Sequence, residues 1–226
     1  ILPLFSGQGG QAPVFYNLFV ALAVWLVLGQ LAELRAGRIG RAVSLAMLSA
    51  GFAVTFKQTA LFEGAFLGLF VLWMLHRAGM PPGRLLRTGS ILALAGSAPM
   101  LAFAALYAAL GHFAEFWHAM VTANLAKPVN PAGDAVKRLR SFAIIASPLL
   151  LPAIATLLLP RLTAQRPGLH PFLTGWLIAA LIGLAAVPNF IDHYMLPMVL
   201  TLAVIAAPAL GSGLIAPAWA VISALA

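Results

Sequence analysis

The sequence contains no cysteine and few charged residues. Only 8% of its 226 residues are charged, and five of them are acidic, whereas about a quarter of the residues of a soluble globular domain carry charge. The lack of cysteine rules out disulfides between loops and metal sites built from cysteine. The low charge excludes an ordinary soluble domain.

Apolar and basic residues dominate what is present. The hydrophobic fraction is 62% and the mean hydropathy is +1.01, values typical of a protein that crosses a membrane several times. The net charge of +8 does not indicate a nucleic-acid partner, because the basic residues are spread between apolar runs as in membrane-protein loops. We expect a multi-pass protein of the plasma (inner) membrane, with the lipid bilayer as its partner.

A short polar stretch, from Lys57 to Thr59, interrupts an apolar run over residues 42–75. One helix over this run would be about 51 Å long, well beyond a hydrocarbon core of about 30 Å. Arginines precede the run within 35–41 and follow it within 77–87. Two crossings put both groups on one side, as the positive-inside bias requires. We therefore predict a hairpin that reverses at Gln58 and places Lys57 at the external face.

The same reasoning along the chain predicts the fold. We expect an all-α, polytopic transmembrane helix bundle with about seven full spans and a truncated last one. The predicted spans cover residues 13–34, 42–56, 60–75, 89–110, 141–159, 172–187, 194–210 and, cut short, 216–226. We expect a single transmembrane domain over residues 1–226, incomplete at both ends, because no charged leader with a cleavage site follows Ile1.

The longest polar segment, residues 111–140, falls on the predicted external face. Apolar residues from Phe113 to Val121 recur at helical spacing, with His112, Glu115 and His118 on the opposite arc. We predict an interfacial amphipathic helix on the external face. The two histidines and the glutamate could hold a divalent metal. The histidines lie about 120° apart around a helix, so a solvated polar face is favoured and the sequence requires no cofactor.

Three stretches carry a family resemblance. In 51–61 a Gly-rich span runs into the sequence Phe-Lys-Gln-Thr-Ala, and in 192–197 the sequence Asp-His-Tyr-Met-Leu-Pro opens an apolar span. The third stretch, 7–16, is Gly-rich and precedes an aromatic helix start. They resemble the threonine-lysine-small motif, the Tyr-x-x-Pro helix opening and the external loop of membrane glycosyltransferases that use polyprenyl-phosphate sugars. This GT-C superfamily includes protein mannosyltransferases and aminoarabinose transferases.

The resemblance implies an enzyme that transfers a hexosyl or pentosyl group, with inversion, to an acceptor on the external, periplasmic side. In that family the catalytic base is an aspartate in the first external loop, which would precede Ile1. The resemblance also implies that Lys57 stabilises the departing lipid phosphate, because a cation placed where negative charge develops lowers the barrier.

Three residues near the hairpin are candidates for the phosphate and substrate site, each with a structural alternative. Lys57 would face the phosphate, or would only snorkel to the interface. Gln58 would donate to a phosphate or a sugar hydroxyl, or would simply end a helix. Glu63 would bind substrate or pair with Lys57, or would belong to a structural buried ion pair.

Two further groups are candidates for the same site. The cationic cluster comprises Lys137, Arg138 and Arg140, and the span mouth comprises Asp192, His193 and Tyr194. The cluster would contact a donor or headgroup phosphate, or would be a solvated loop end. At the span mouth the histidine could orient a phosphate or move a proton; the alternative is an interfacial cap with its tyrosine in the aromatic belt.

Two other functions compete with the transferase. A transporter or flippase for a lipid-linked or small substrate would place ionisable residues near the midplane of broken spans. A non-catalytic membrane scaffold would tolerate replacement of the external charges. The polar residues gather at one predicted face, which favours interfacial chemistry.

Overall fold

The computed structural model describes residues 10–126, 131–186 and 190–213, and within them all regular structure is helical. This confirms the predicted all-α class. The α-helices are α1 (Ala12–Leu28), α2 (Leu31–Arg35), α3 (Arg41–Phe56), α4 (Ala60–Arg77), α5 (Pro82–Ala109), α6 (Phe113–Trp117), α7 (Ala123–Leu125), α8 (Ala132–Ile145), α9 (Ser147–Leu158), α10 (Leu169–Ala185) and α11 (Leu196–Gly211). A π-helical turn (His118–Thr122) joins α6 to α7, and 3₁₀ turns cover Pro160–Thr163 and Asp192–Met195.

The chain divides into two compact units. Leu18–Asn130 is here called the hairpin unit, and Ile1–Asn17 together with Pro131–Ala226 is called the C-terminal unit. The single transmembrane domain over residues 1–226 stays a prediction.

The number of membrane spans corrects the prediction of about seven. Among the described residues three helices are long and apolar enough to cross, Ala60–Arg77, Pro82–Ala109 and His193–Gly211, and α8 with α9 makes a fourth if the bent pair is one span. The helices α1, α3 and α10 have 17, 16 and 17 residues, or about 24–26 Å against a core of about 30 Å. The structure thus indicates membrane association.

Two predicted spans are interrupted. The first, 13–34, breaks at Gly29 and Gln30, so that α1 and α2 are separate helices. The fifth, 141–159, breaks at Ala146, where α8 and α9 are bent by 81°. The truncated last span, 216–226, lies outside the described residues.

In the hairpin unit, α3 packs against both α4 and α5. Small residues allow the close approach. Gly64 of α4 faces Ala50 of α3, and Gly51 of α3 lies so near Gly96 of α5 that an added Cβ would collide with the Gly96 carbonyl oxygen. Such packing of small residues is typical of membrane helices. Most of the remaining apolar surface of α5 is exposed.

In the C-terminal unit, α9 packs along α11, and α10 also contacts α11. The corner between α8 and α9 sits on the beginning of α11. Buried Met195, Leu196 and Val199 form the centre of this cluster, and half-buried Phe142, Ile145, Leu149, Leu184 and Phe190 surround them. The cluster holds α8 against the N-terminal end of α11.

Candidate functional site

The polar stretch at Lys57 is a turn between two helices. α3 ends just before Lys57, whose backbone is extended (φ −155°, ψ 125°), and α4 begins soon after. The two helices are antiparallel, because Ala50 faces Gly64 and Met47 faces Gly68, and both pairs are centred on the turn. The predicted reversal of the backbone is therefore confirmed, and the position of Lys57 at the external face stays a prediction.

The turn packs against the helical segment that follows α5. The side-chain amide of Gln58 donates a hydrogen bond from Nε2 to the Sδ atom of Met120 at 3.3 Å, and a thioether is a weak acceptor. Both Lys57 and Gln58 are half-buried. The turn is thus held in place by the rest of the hairpin unit.

A cavity of about 440 Å³ lies beside this turn. Its walls come from the end of α3, the second half of α5, α6 and the π-helical turn. The lining residues are Thr55, Phe56, Met100, Phe103, Tyr107, Glu115, Phe116, Ala119 and Met120. This volume is typical of small-molecule sites, which range over about 300–1,000 Å³.

The cavity combines an apolar wall with three polar groups. Phenylalanine and methionine side chains supply most of the wall, and Thr55, Tyr107 and Glu115 supply the polar groups. The ring of Tyr107 packs against Phe116 with centroids 5.4 Å apart. Lys57 directly follows the lining residue Phe56, and Gln58 donates to the lining residue Met120, so the turn borders the cavity and we treat both as one candidate region.

The π-helical turn in the cavity wall was not predicted. It lies within the predicted amphipathic helix, which the structure places over 113–125. The Nδ2 atom of Asn124 donates to the carbonyl oxygens of Ala119 (3.1 Å) and Met120 (3.3 Å), so a side-chain amide adds hydrogen bonds to the widened turn. Asn124, a poor helix former near the end of an apolar helix, was the available sequence signal.

The polar arc of this helix forms pairs. His112 Nδ1 lies 3.5 Å from Glu115 Oε1, whereas His118 Nδ1 lies 2.7 Å from the hydroxyl of Thr122. The hydrogen bond from its own backbone N–H, and then the one from His112, lower the pKa of Glu115, so this carboxyl is ionised at neutral pH. In the described part of the chain no three His, Asp or Glu side chains are grouped to hold a metal.

Glu63 is a buried carboxyl group near the same turn. The residue is 4% exposed and belongs to the first turn of α4, where the positive end of the helix dipole favours an acidic group. Its predicted pairing with Lys57 and its predicted contact with substrate stay predictions.

The other candidate residues lie in the C-terminal unit. The cationic cluster is on α8, with Arg138 half-buried and the two others exposed. The span mouth is the 3₁₀ turn Asp192–Met195 that opens α11, and the rings of His193 and Tyr194 meet edge to face with centroids 4.6 Å apart. α8 packs against this turn, so the two groups lie on neighbouring elements. A surface shared by Lys57 and these groups stays a prediction.

Compared with protein-family models, curated proteins and solved structures, the chain has no match. The resemblance to the GT-C superfamily therefore rests on the three sequence stretches alone. Any function has to be argued from the chemistry of the site.

Proposed function

We propose that the chain is part of a membrane glycosyltransferase that takes its sugar from a polyprenyl phosphate at the external face of the plasma (inner) membrane. The observation that supports this best is the cavity beside the Lys57 turn. It joins an apolar wall to polar groups at the end of candidate membrane helices. A lipid-linked sugar likewise has an apolar part, its hydrocarbon chain, and a polar part, its phosphate and sugar.

The charges around the cavity favour one orientation of such a donor. The ionised carboxylate of Glu115 would repel a phosphate, and it accepts hydrogen bonds of the kind that sugar hydroxyls donate. The sugar is therefore assigned to the side of Glu115 and Tyr107, and the phosphate to the side of Lys57. The hydrocarbon chain follows the apolar wall.

In this proposal an acceptor hydroxyl or amine attacks the anomeric carbon, and the bond from that carbon to the phosphate oxygen breaks. The acceptor's proton passes to a base that no residue here is assigned to supply. The ammonium of Lys57 stabilises the negative charge that develops on the leaving phosphate, and a donor placed this way contributes roughly 100-fold to a rate.

The test is the binding of a polyprenyl phosphate without sugar to purified protein in lipid nanodiscs. We expect Lys57→Ala to weaken this binding about 10- to 100-fold, the effect of losing a hydrogen bond to a charged group. Lys57→Arg should keep most of the affinity. The matched control is Arg84→Ala, which removes an exposed cation from the far end of α5.

Glu115→Gln distinguishes binding of the donor's sugar from binding of its phosphate. It should leave binding of the bare polyprenyl phosphate unchanged or slightly stronger, and should weaken binding of the sugar-bearing donor. Equal affinities of wild type and Lys57→Ala for the polyprenyl phosphate would contradict the proposal.

A transporter or flippase is the second candidate, favoured by the break between α8 and α9. Discontinuous membrane helices commonly build substrate sites in transporters, and this pair is bent by 81°. Movement of a labelled lipid-linked sugar across vesicles containing the protein, without any transfer to an acceptor, would favour this alternative.

A further inference from the structure

The two sides of α8 differ in burial. Ala135, Arg138, Phe142 and Ile145, spaced i, i+3, i+7 and i+10, form one half-buried row. This spacing places them on one face of the helix. Two of them, Phe142 and Ile145, pack on the beginning of α11.

A second face of α8, about 120° around the helix from the half-buried row, is exposed and yet apolar. Val136 and Leu139 are 66% and 37% exposed, and Ala143 continues the row at i+7. Arg140 and Lys137 both lie on the side of this row away from the half-buried face. The Lys137 side chain is 83% exposed and lies 3.9 Å from Asp134. Arg140 adds a second positive charge against this one carboxylate, so the flank carries net positive charge. An exposed apolar row beside cations is typical of a helix lying in a membrane surface.

The orientation of α8 agrees with such a position. α9 packs along α11, one of the candidate membrane spans, and α8 leaves α9 at 81°. A helix nearly perpendicular to a membrane span runs along the membrane plane. The corner cluster holds α8 at the end of α11, which is the level of the lipid headgroups.

We infer that α8 lies in the headgroup layer of an anionic bilayer, with Val136, Leu139 and Ala143 in the acyl boundary and Lys137 and Arg140 on lipid phosphates. We choose an anionic bilayer as the partner of this face because anionic headgroups attract such cations. The inference concerns the C-terminal unit alone and does not depend on the proposed function.

The chain has no cysteine, so single labels can be introduced directly. We would attach a fluorophore to Val136→Cys on the apolar row, or to Ser141→Cys on the exposed polar side as the matched control. The protein would be placed in vesicles of phosphatidylcholine with phosphatidylglycerol. Brominated lipid should quench the label at position 136 several-fold more than iodide in the water does, and the control should show the reverse.

Equal quenching of both sites by iodide, or protection of position 136 from both quenchers, would overturn the inference; the second outcome means that protein covers the row. A second measurement tests the charges. Raising the phosphatidylglycerol fraction should increase lipid quenching at position 136, and Lys137→Gln with Arg140→Gln should weaken this response, by about fivefold per cation removed. A response unchanged by both substitutions would also overturn the inference.

Discussion

The chain breaks its apolar helices in two contrasting ways, at Lys57 and at Ala146. At the first break the backbone reverses, and α4 returns along α3. At the second the chain turns by 81° and continues as α9. The first break consists of polar side chains with a charged lysine among them, whereas the second is at an alanine and is followed by Ser147 and Pro148, with no charged residue. Polar residues thus indicate where a chain can leave the hydrocarbon, and a proline indicates where it can bend.

The physical causes of the two breaks differ accordingly. A lysine is costly at the bilayer centre, so Lys57 favours a turn at the surface. Pro148 has no backbone N–H to donate, and its ring would collide with the carbonyl of Ile144 if α8 continued. Pro99 nevertheless lies inside a continuous α5. A proline alone does not decide a break, and the cluster around the corner contributes to this one.

The first prediction concerns the packing that keeps the hairpin together, and it has the largest expected effect. Gly51→Ala should destabilise the protein by about 2 kcal/mol, because the new methyl group meets the backbone of α5 and forces the helices apart. Thermal unfolding in detergent measures the change. Gly83→Ala, with no atom within 4 Å of its added Cβ, should shift stability by less than about 1 kcal/mol. Equal effects of both substitutions would refute the tight crossing.

The second prediction asks whether Pro148 sets the bend. With spin labels at Val136→Cys and Ile154→Cys, two exposed positions, the bent pair should give a distance near 21 Å, against roughly 27 Å for a straight helix. Pro148→Ala should add a longer population, and Pro152→Ala, inside α9, should not. If the distance stays unchanged in Pro148→Ala, packing alone makes the corner.

The third prediction concerns the rim of the cavity beside the first break and has the smallest expected effect. The pKa of Glu115 is lowered in the folded protein. The ionised carboxyl therefore contributes to the free energy of unfolding above its ordinary pKa, and this contribution is lost as the pH falls through its pKa in the folded protein. Glu115→Gln should lower the unfolding temperature slightly at pH 7, and this difference from wild type should shrink as the pH is lowered below the ordinary pKa of a glutamate. In a double-mutant cycle with His112→Gln the two effects should not add.

The sequence was enough to predict the all-α class and the turn at Lys57, because both depend on local polarity. It did not reveal helix lengths. Gly29 and Gln30 end α1 early in a hydrogen-bonded turn, so that the apolar run over 13–34 is two helices. The cavity was missed for a related reason. Thr55 is far in sequence from Tyr107 and Glu115, and nothing in their local pattern shows that they line one space.

The unequal lengths of neighbouring helices have a consequence for the surrounding lipid. α4 has 18 residues and α5 has 28, or about 27 Å and 42 Å, so in one bilayer of about 30 Å they cannot both match its thickness. α5 must tilt or project from the surface with its first arginines. If the leaflets thin around the shorter α3 and α4, the mismatch between these helices and the bilayer becomes smaller. Such thinning also draws headgroups towards the depth of Lys57.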